Sequence, residues 1–191
     1  MISSTEENNN FKMGLRDGVP IALGYVAVSF AFGLYATGAG LSVIESIMIS
    51  LFNLTSAGQM AAVPIIAGGG GIIELAVTQL VINIRYSLMS VALSQRFGES
   101  VGLRHRFLIA FTNTDEIFAL GMAREGKLTA AYFLGAGTVA ALGWTGGTLS
   151  GYPLMKLGGE LEARYGLVPG KKSKFARGKA LRNGLLITNV S

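Results

Sequence analysis

The chain has 191 residues, of which 50% are hydrophobic and 14% charged, against about 25% charged in ordinary soluble domains; with a mean hydropathy of +0.49, this is the composition of a membrane protein. Cysteine is absent and histidine occurs once, at His105, which excludes a disulfide framework, a thiolate metal site and a multi-histidine centre. Residues 1–152 hold 8 Lys/Arg against 9 Asp/Glu, whereas residues 153–191 hold 8 against 2, so the basicity belongs to the tail and does not signal nucleic-acid binding.

Residues 1–17 form a polar N-terminus and an interfacial stretch. Glu6 to Asn10 has nothing apolar to bury, and its acidic character excludes a cleavable signal peptide. Lys12 and Arg16 suit lipid headgroups. The first apolar segment runs from about Val19 to Ala39, with Pro20 in its first turn, where a missing N–H costs little. The second runs from Val43 to Ala67 and is interrupted by Asn53-Leu54-Thr55-Ser56-Ala57-Gly58-Gln59. Polar residues clustered there predict a broken or re-entrant segment, because irregular backbone at membrane depth must line a cavity or be buried in protein. Glu45, near its start, reads as an interfacial cap.

After the four-glycine turn at Gly68–Gly71, the third segment, Ile72–Phe97, is long enough to span a bilayer at about 20 residues. It carries Asn83 and Arg85 near its middle. A charge at that depth costs roughly 2.5–3.5 kcal/mol on insertion scales, so Arg85 needs a partner and a wet or protein-lined surrounding. It serves either a substrate carboxylate or a structural ion pair between helices. The fourth segment, Phe107–Ala123, holds the adjacent acids Asp115 and Glu116. Helical neighbours point about 100° apart, so at most one of them faces Arg85 squarely. They are either pathway groups or acids at the mouth of a short segment. The fifth segment, Leu128–Gly151, carries Gly143, Gly147 and Gly151 on one face, a helix-packing pattern, with Trp144 and Tyr152 as interfacial anchors.

The expected fold is therefore an all-α integral membrane protein of about five segments, the second broken or re-entrant. The membrane domain covers residues 18–152 and a basic polar tail covers residues 153–191. The basic stretches predict the N-terminal approach, the 95–106 loop and the tail on the cytoplasmic side. No G-x-S-x-G, H-E-x-x-H or P-loop is present, so no enzyme, metal or cofactor is expected.

The runs Asn53–Met60, Asn83-Ile84-Arg85-Tyr86-Ser87-Leu88-Met89-Ser90 and Thr114-Asp115-Glu116-Ile117-Phe118-Ala119 stand in this order, with Gly18-Val19-Pro20 before them and Gly143-Trp144-Thr145-Gly146-Gly147-Thr148 after. In these pieces the chain resembles the AzlC family, the large subunits of branched-chain amino acid exporters, over residues 11–152. The resemblance implies a multi-pass inner-membrane secondary exporter of hydrophobic amino acids, assisted by a small AzlD-like membrane subunit. It implies pathway positions at Gln59, Asn83, Arg85, Asp115 and Glu116, joined as substrate-binding candidates by Asn53, Thr55 and Ser56. A zwitterion suits the set: Arg85 or half-helix N–H groups for its carboxylate, Asp115 or Glu116 for its ammonium. The tail departs from the family pattern, in which further apolar segments follow. It reads as a surface for anionic lipid headgroups or as a shortened or frame-altered end. A non-transporting assembly subunit and a small ion channel are the alternative functions.

Overall fold

Asn10 opens the first helix by accepting the Met13 N–H at 2.9 Å, and the chain then stays helical from Phe11 to Gly38 (α1). The computed structural model describes residues 9–98 and 101–165. Among these it is all helical: α2 Val43–Phe52, α3 Ser56–Ala67, α4 Ile72–Ser94, α5 Leu103–Thr112, α6 Asp115–Ala123 and α7 Ala130–Tyr165 follow. Among the described residues one isolated bridge, between Phe97 and Leu128, has extended pairing. Residues up to Pro153 form one unit. From Leu154 a second unit begins, helical through Tyr165.

α1 begins eight residues before Val19, so Pro20 lies inside the helix rather than in its first turn. Its ring removes one helical hydrogen bond. The extension is held by packing, since Gly14 and Gly18 lie so close to the backbone of residues 132–136 that neither has room for a side chain. α7 runs parallel to α1. Gly143 meets Ala22, Gly147 meets Val26 and Ser29, and Gly151 meets Phe30 and Leu34. The glycine face read from the sequence is thus the α1–α7 contact. Trp144, expected as an interfacial anchor, is instead 2% exposed and stacks edge-on against Tyr25 at 4.8 Å. The reason is that the glycines on its face bring α7 onto α1.

The second apolar segment is broken, as its polar centre implies. Ser42 and Glu45 close a capping box at the start of α2, the interfacial cap expected of Glu45. α2 ends at Asn53, whose φ and ψ of −138° and 91° leave the helix. α3 then doubles back: Val63, near its far end, packs with Ala36 and Leu41, the residues at the turn where α2 set out. Gly69 takes a positive φ of 71° in the turn that starts α4.

The fourth apolar segment is broken in the same way, which its sequence reading as one continuous stretch did not anticipate. Asn113 terminates α5 with ψ 89°, and Thr114 caps α6 by accepting the Ile117 N–H at 3.4 Å. α6 returns to where α5 began: the Arg96 guanidinium, just past α4, donates to the carbonyls of Arg124 at 2.5 Å and of Gly126 at 3.3 Å. At 10 and 9 residues, neither half approaches the roughly 20 residues of a bilayer span.

The two hairpins therefore enter from opposite ends of α4, and their tips meet near its middle. α7 leaves at the end opposite the 95–102 loop, because α5 and α6 fold back rather than cross. Pro153–Tyr165 continues α7 as helix, and the basic run from Lys171 lies outside the described residues. Among the described residues two helices, α1 and α4, are long and apolar enough to cross a membrane.

Candidate functional site

The hairpin tips and the middles of α1, α4 and α7 enclose a cavity of about 460 Å³. Its apolar wall is Pro20, Ile21, Val28, Leu54 and Trp144. Its polar wall is Thr55 and Ser56 from the first tip, Thr114, Asp115 and Glu116 from the second, and Arg85 and Tyr86 from α4. No side chain caps α3, so its first-turn N–H groups, unpaired within a helix, begin at Ser56 on the cavity wall.

Arg85 Nη2 stands 2.8 Å from Asp115 Oδ2 and donates to the Tyr86 hydroxyl at 2.7 Å. The guanidinium also lies over the Tyr86 ring, 4.7 Å from its centre. Both charged side chains are about half exposed, 55% and 50%. The rest of the chain thus covers only about half of each partner. Glu116, on the same wall, is bonded elsewhere: its Oε2 accepts from the Tyr25 hydroxyl at 2.5 Å. The same hydroxyl is 2.5 Å from Thr114 Oγ1. One phenolic proton cannot serve both, and the carboxylate is the stronger acceptor. Tyr25 therefore ties α1 to the second tip and fixes the Glu116 carboxylate.

The first tip is tied to α4 by amides. The Asn53 and Asn83 amide groups both donate to Gln79 Oε1, at 2.8 and 3.1 Å. Gln79 Nε2 in turn donates to the Gly58 carbonyl at 2.9 Å. Thr55 Oγ1 lies 2.7 Å from Asn53 Oδ1 and 3.0 Å from Asn83 Oδ1. The second tip is tied likewise, with Asn113 Nδ2 donating to Ser90 Oγ at 3.0 Å.

Of the candidates read from the sequence, Thr55, Ser56, Arg85, Asp115 and Glu116 share the cavity wall. Asn53 and Asn83 stand behind it in the amide network. Gln59 is elsewhere: fully buried, it donates to Ser50 Oγ at 3.0 Å, and Ser50 bonds the Thr148 hydroxyl at 2.7 Å. It locks the first hairpin to α7 and does not reach the cavity. Sequence reading passed over Tyr25, Thr114, Gln79 and Trp144 as parts of the site. Gln79 could have been found, since it lies one helical turn before Asn83 on the same face. Tyr25 and Trp144 carry no such signal inside apolar runs. Among the described residues no group of three or more His, Cys, Asp or Glu is placed to hold a metal.

The AzlC protein family model matches residues 20–157. The inner membrane protein YgaZ of Escherichia coli is 30% identical over 145 residues, covering 74% of this chain and 59% of that protein. An uncharacterized membrane protein of Archaeoglobus fulgidus is 27% identical over 148 residues, covering 78% of this chain and 64% of that protein. The chain thus spans about three-fifths of the length of these curated relatives. No solved structure matches it. The match spans both hairpins, both tips and the cavity between them, the relatives are membrane proteins, and this chain belongs to the AzlC family.

Proposed function

We propose that the chain is the large-subunit-like component of a secondary transporter that exports branched-chain or other hydrophobic amino acids across the inner membrane. The observation that carries this reading is the pairing of walls in one 460 Å³ cavity: aliphatic and aromatic side chains on one side, Arg85 with Asp115 and Glu116 on the other. Ligand pockets commonly have this size and this mix of apolar lining with a few fixed polar groups. A zwitterion with an apolar side chain complements it. The carboxylate approaches Arg85 and the N–H groups that open α3, and the ammonium approaches Asp115. Half-helix termini at mid-depth serve transporters in this way.

In the membrane, α1, α4 and α7 cross, and the two hairpins re-enter from opposite faces, so each tip can be gated from its own side. α4 turns Ile73, Val77, Leu80, Val81, Ile84, Leu88 and Val91 outward, all more than half exposed, a face suited to lipid and to a small AzlD-like partner subunit. The test is equilibrium binding of radiolabelled leucine, isoleucine, valine and methionine to the purified chain in lipid nanodiscs. Saturable binding that is lost in Arg85→Ala supports the reading. A folded wild-type protein that binds none of the four, alone or with the partner subunit, refutes it.

A further inference from the structure

A second, smaller cavity of about 160 Å³ lies between the two hairpin tips, behind the wall of the first. Its lining includes Asn53, Thr55, Asn83 and Asn113 and, among the described residues, no Lys, Arg, Asp or Glu. We propose that this cavity is a binding site for a monovalent alkali cation, held by Asn53 Oδ1, Thr55 Oγ1 and Asn83 Oδ1.

The orientation of the two asparagines is fixed. Both amide nitrogens point to Gln79 Oε1, and Gln79 is itself fixed by donating to the Gly58 carbonyl. Both side-chain carbonyls are therefore turned on Thr55 Oγ1, at 2.7 and 3.0 Å. A threonine hydroxyl has one proton to give. Three oxygens thus surround a single hydrogen, and an acceptor in excess is what a cation satisfies.

The helix ends around the cavity are of both signs. α2 ends at Phe52 and α5 at Thr112, and Phe52, Ala110 and Phe111 line the cavity. The last carbonyls of a helix lack helical partners and carry the negative end of its dipole. Two such ends meet here, beside the N-termini of α3 and α6, whose caps Thr55 and Thr114 also line the cavity, so the helix dipoles offset and the side-chain oxygens themselves hold the ion. The wall has no carboxylate, the usual ligand of calcium, which favours a single positive charge. The volume equals about five waters at roughly 30 Å³ each, enough for an ion that keeps part of its hydration. Arg85 does not oppose it unscreened, since Asp115 stands 2.8 Å from the guanidinium. Leu54, Thr55, Tyr86 and Thr114 line both cavities. On the transport reading above, ion occupancy therefore acts on the substrate wall through them. The ion site itself does not depend on that reading.

The experiment is thermal unfolding of the purified full chain in nanodiscs without amino acid, followed by the fluorescence of Trp144, the single tryptophan. NaCl and KCl are each titrated against choline chloride at equal ionic strength. The expected result is a saturable stabilisation by at least one alkali cation. Thr55→Val weakens its apparent affinity tenfold or more, and Thr55→Ser retains it. Should Thr55→Val not fold, Asn53→Asp decides, since an added negative charge tightens cation binding tenfold or more while a purely structural network gains nothing. Absence of alkali-specific stabilisation in the wild type, or unchanged affinity in Thr55→Val or Asn53→Asp, overturns the proposal. Amino-acid binding is measured separately, so failure of this site and failure of the transport reading are distinguishable.

Discussion

Replacing Asp115 by Asn separates the stability of the Arg85–Asp115 pair from its use. The two groups are 2.8 Å apart, yet each side chain is about half exposed. Opposite charges 4 Å apart are worth about 1 kcal/mol in bulk water and about 4 kcal/mol at an effective dielectric of 20. Exposed pairs measure about 0.2–1 kcal/mol, whereas breaking a buried pair costs about 3–5 kcal/mol. Half exposure, with Tyr86 still accepting from Arg85 at 2.7 Å, puts this pair near the lower figure. Asp115→Asn should lower the unfolding free energy by less than about 1 kcal/mol, and added salt should shrink the difference. Leucine binding should fall tenfold or more, because the ammonium loses its counter-charge. The assays are denaturant unfolding in mixed micelles and equilibrium binding in nanodiscs. A stability loss of about 3–5 kcal/mol, the mark of a buried pair, or unchanged leucine binding would refute the reasoning.

Gly147→Val forces a side chain against Ser29 Oγ and the Val26 carbonyl of α1. It should destabilise by about 1–3 kcal/mol, the range for overpacking, while Gly146→Ala, whose Cβ meets no atom within 4 Å, should not; denaturant unfolding compares the two. Ser50→Ala removes the acceptor of the fully buried Gln59 amide. It should cost about 1–3 kcal/mol with leucine affinity unchanged, since Gln59 lies off the cavity. Gly24 lines the cavity with open space around it. Gly24→Leu should leave the fold intact and weaken leucine binding at least tenfold, read by the same nanodisc assay.

The long apolar runs and the polar interruption at Asn53–Gln59 were legible because each contrasts with its surroundings. Composition alone separates a chain with 14% charge from soluble domains. The break at Asn113-Thr114 was less visible. Only two residues leave the helix there, and Asp115 and Glu116 draw attention as charges rather than as the first turn of a new helix capped by Thr114. Its resemblance to the first break emerges only when both tips are seen against α4. Arg85 and Asp115 stand out in the sequence because intramembrane charge is costly, but their pairing needs the hairpin to turn back. Gln59 lies off the cavity: a polar residue in an apolar run points to a cavity or to a buried hydrogen bond, and Ser50, nine positions earlier across the break, supplies the bond. Tyr25 and Trp144 enter the site through α1–α7 packing, which glycine spacing suggests without saying which neighbouring side chains it brings together.

The most direct measurement is efflux of preloaded leucine, isoleucine, valine and methionine from cells producing the chain, with and without a small AzlD-like subunit, for wild type and Arg85→Ala at matched membrane abundance. Efflux above background that disappears in Arg85→Ala is the expected result, and it would put Arg85 on the pathway. Efflux equal in wild type and Arg85→Ala, or none from inserted wild type with the partner subunit present, would contradict export through this cavity.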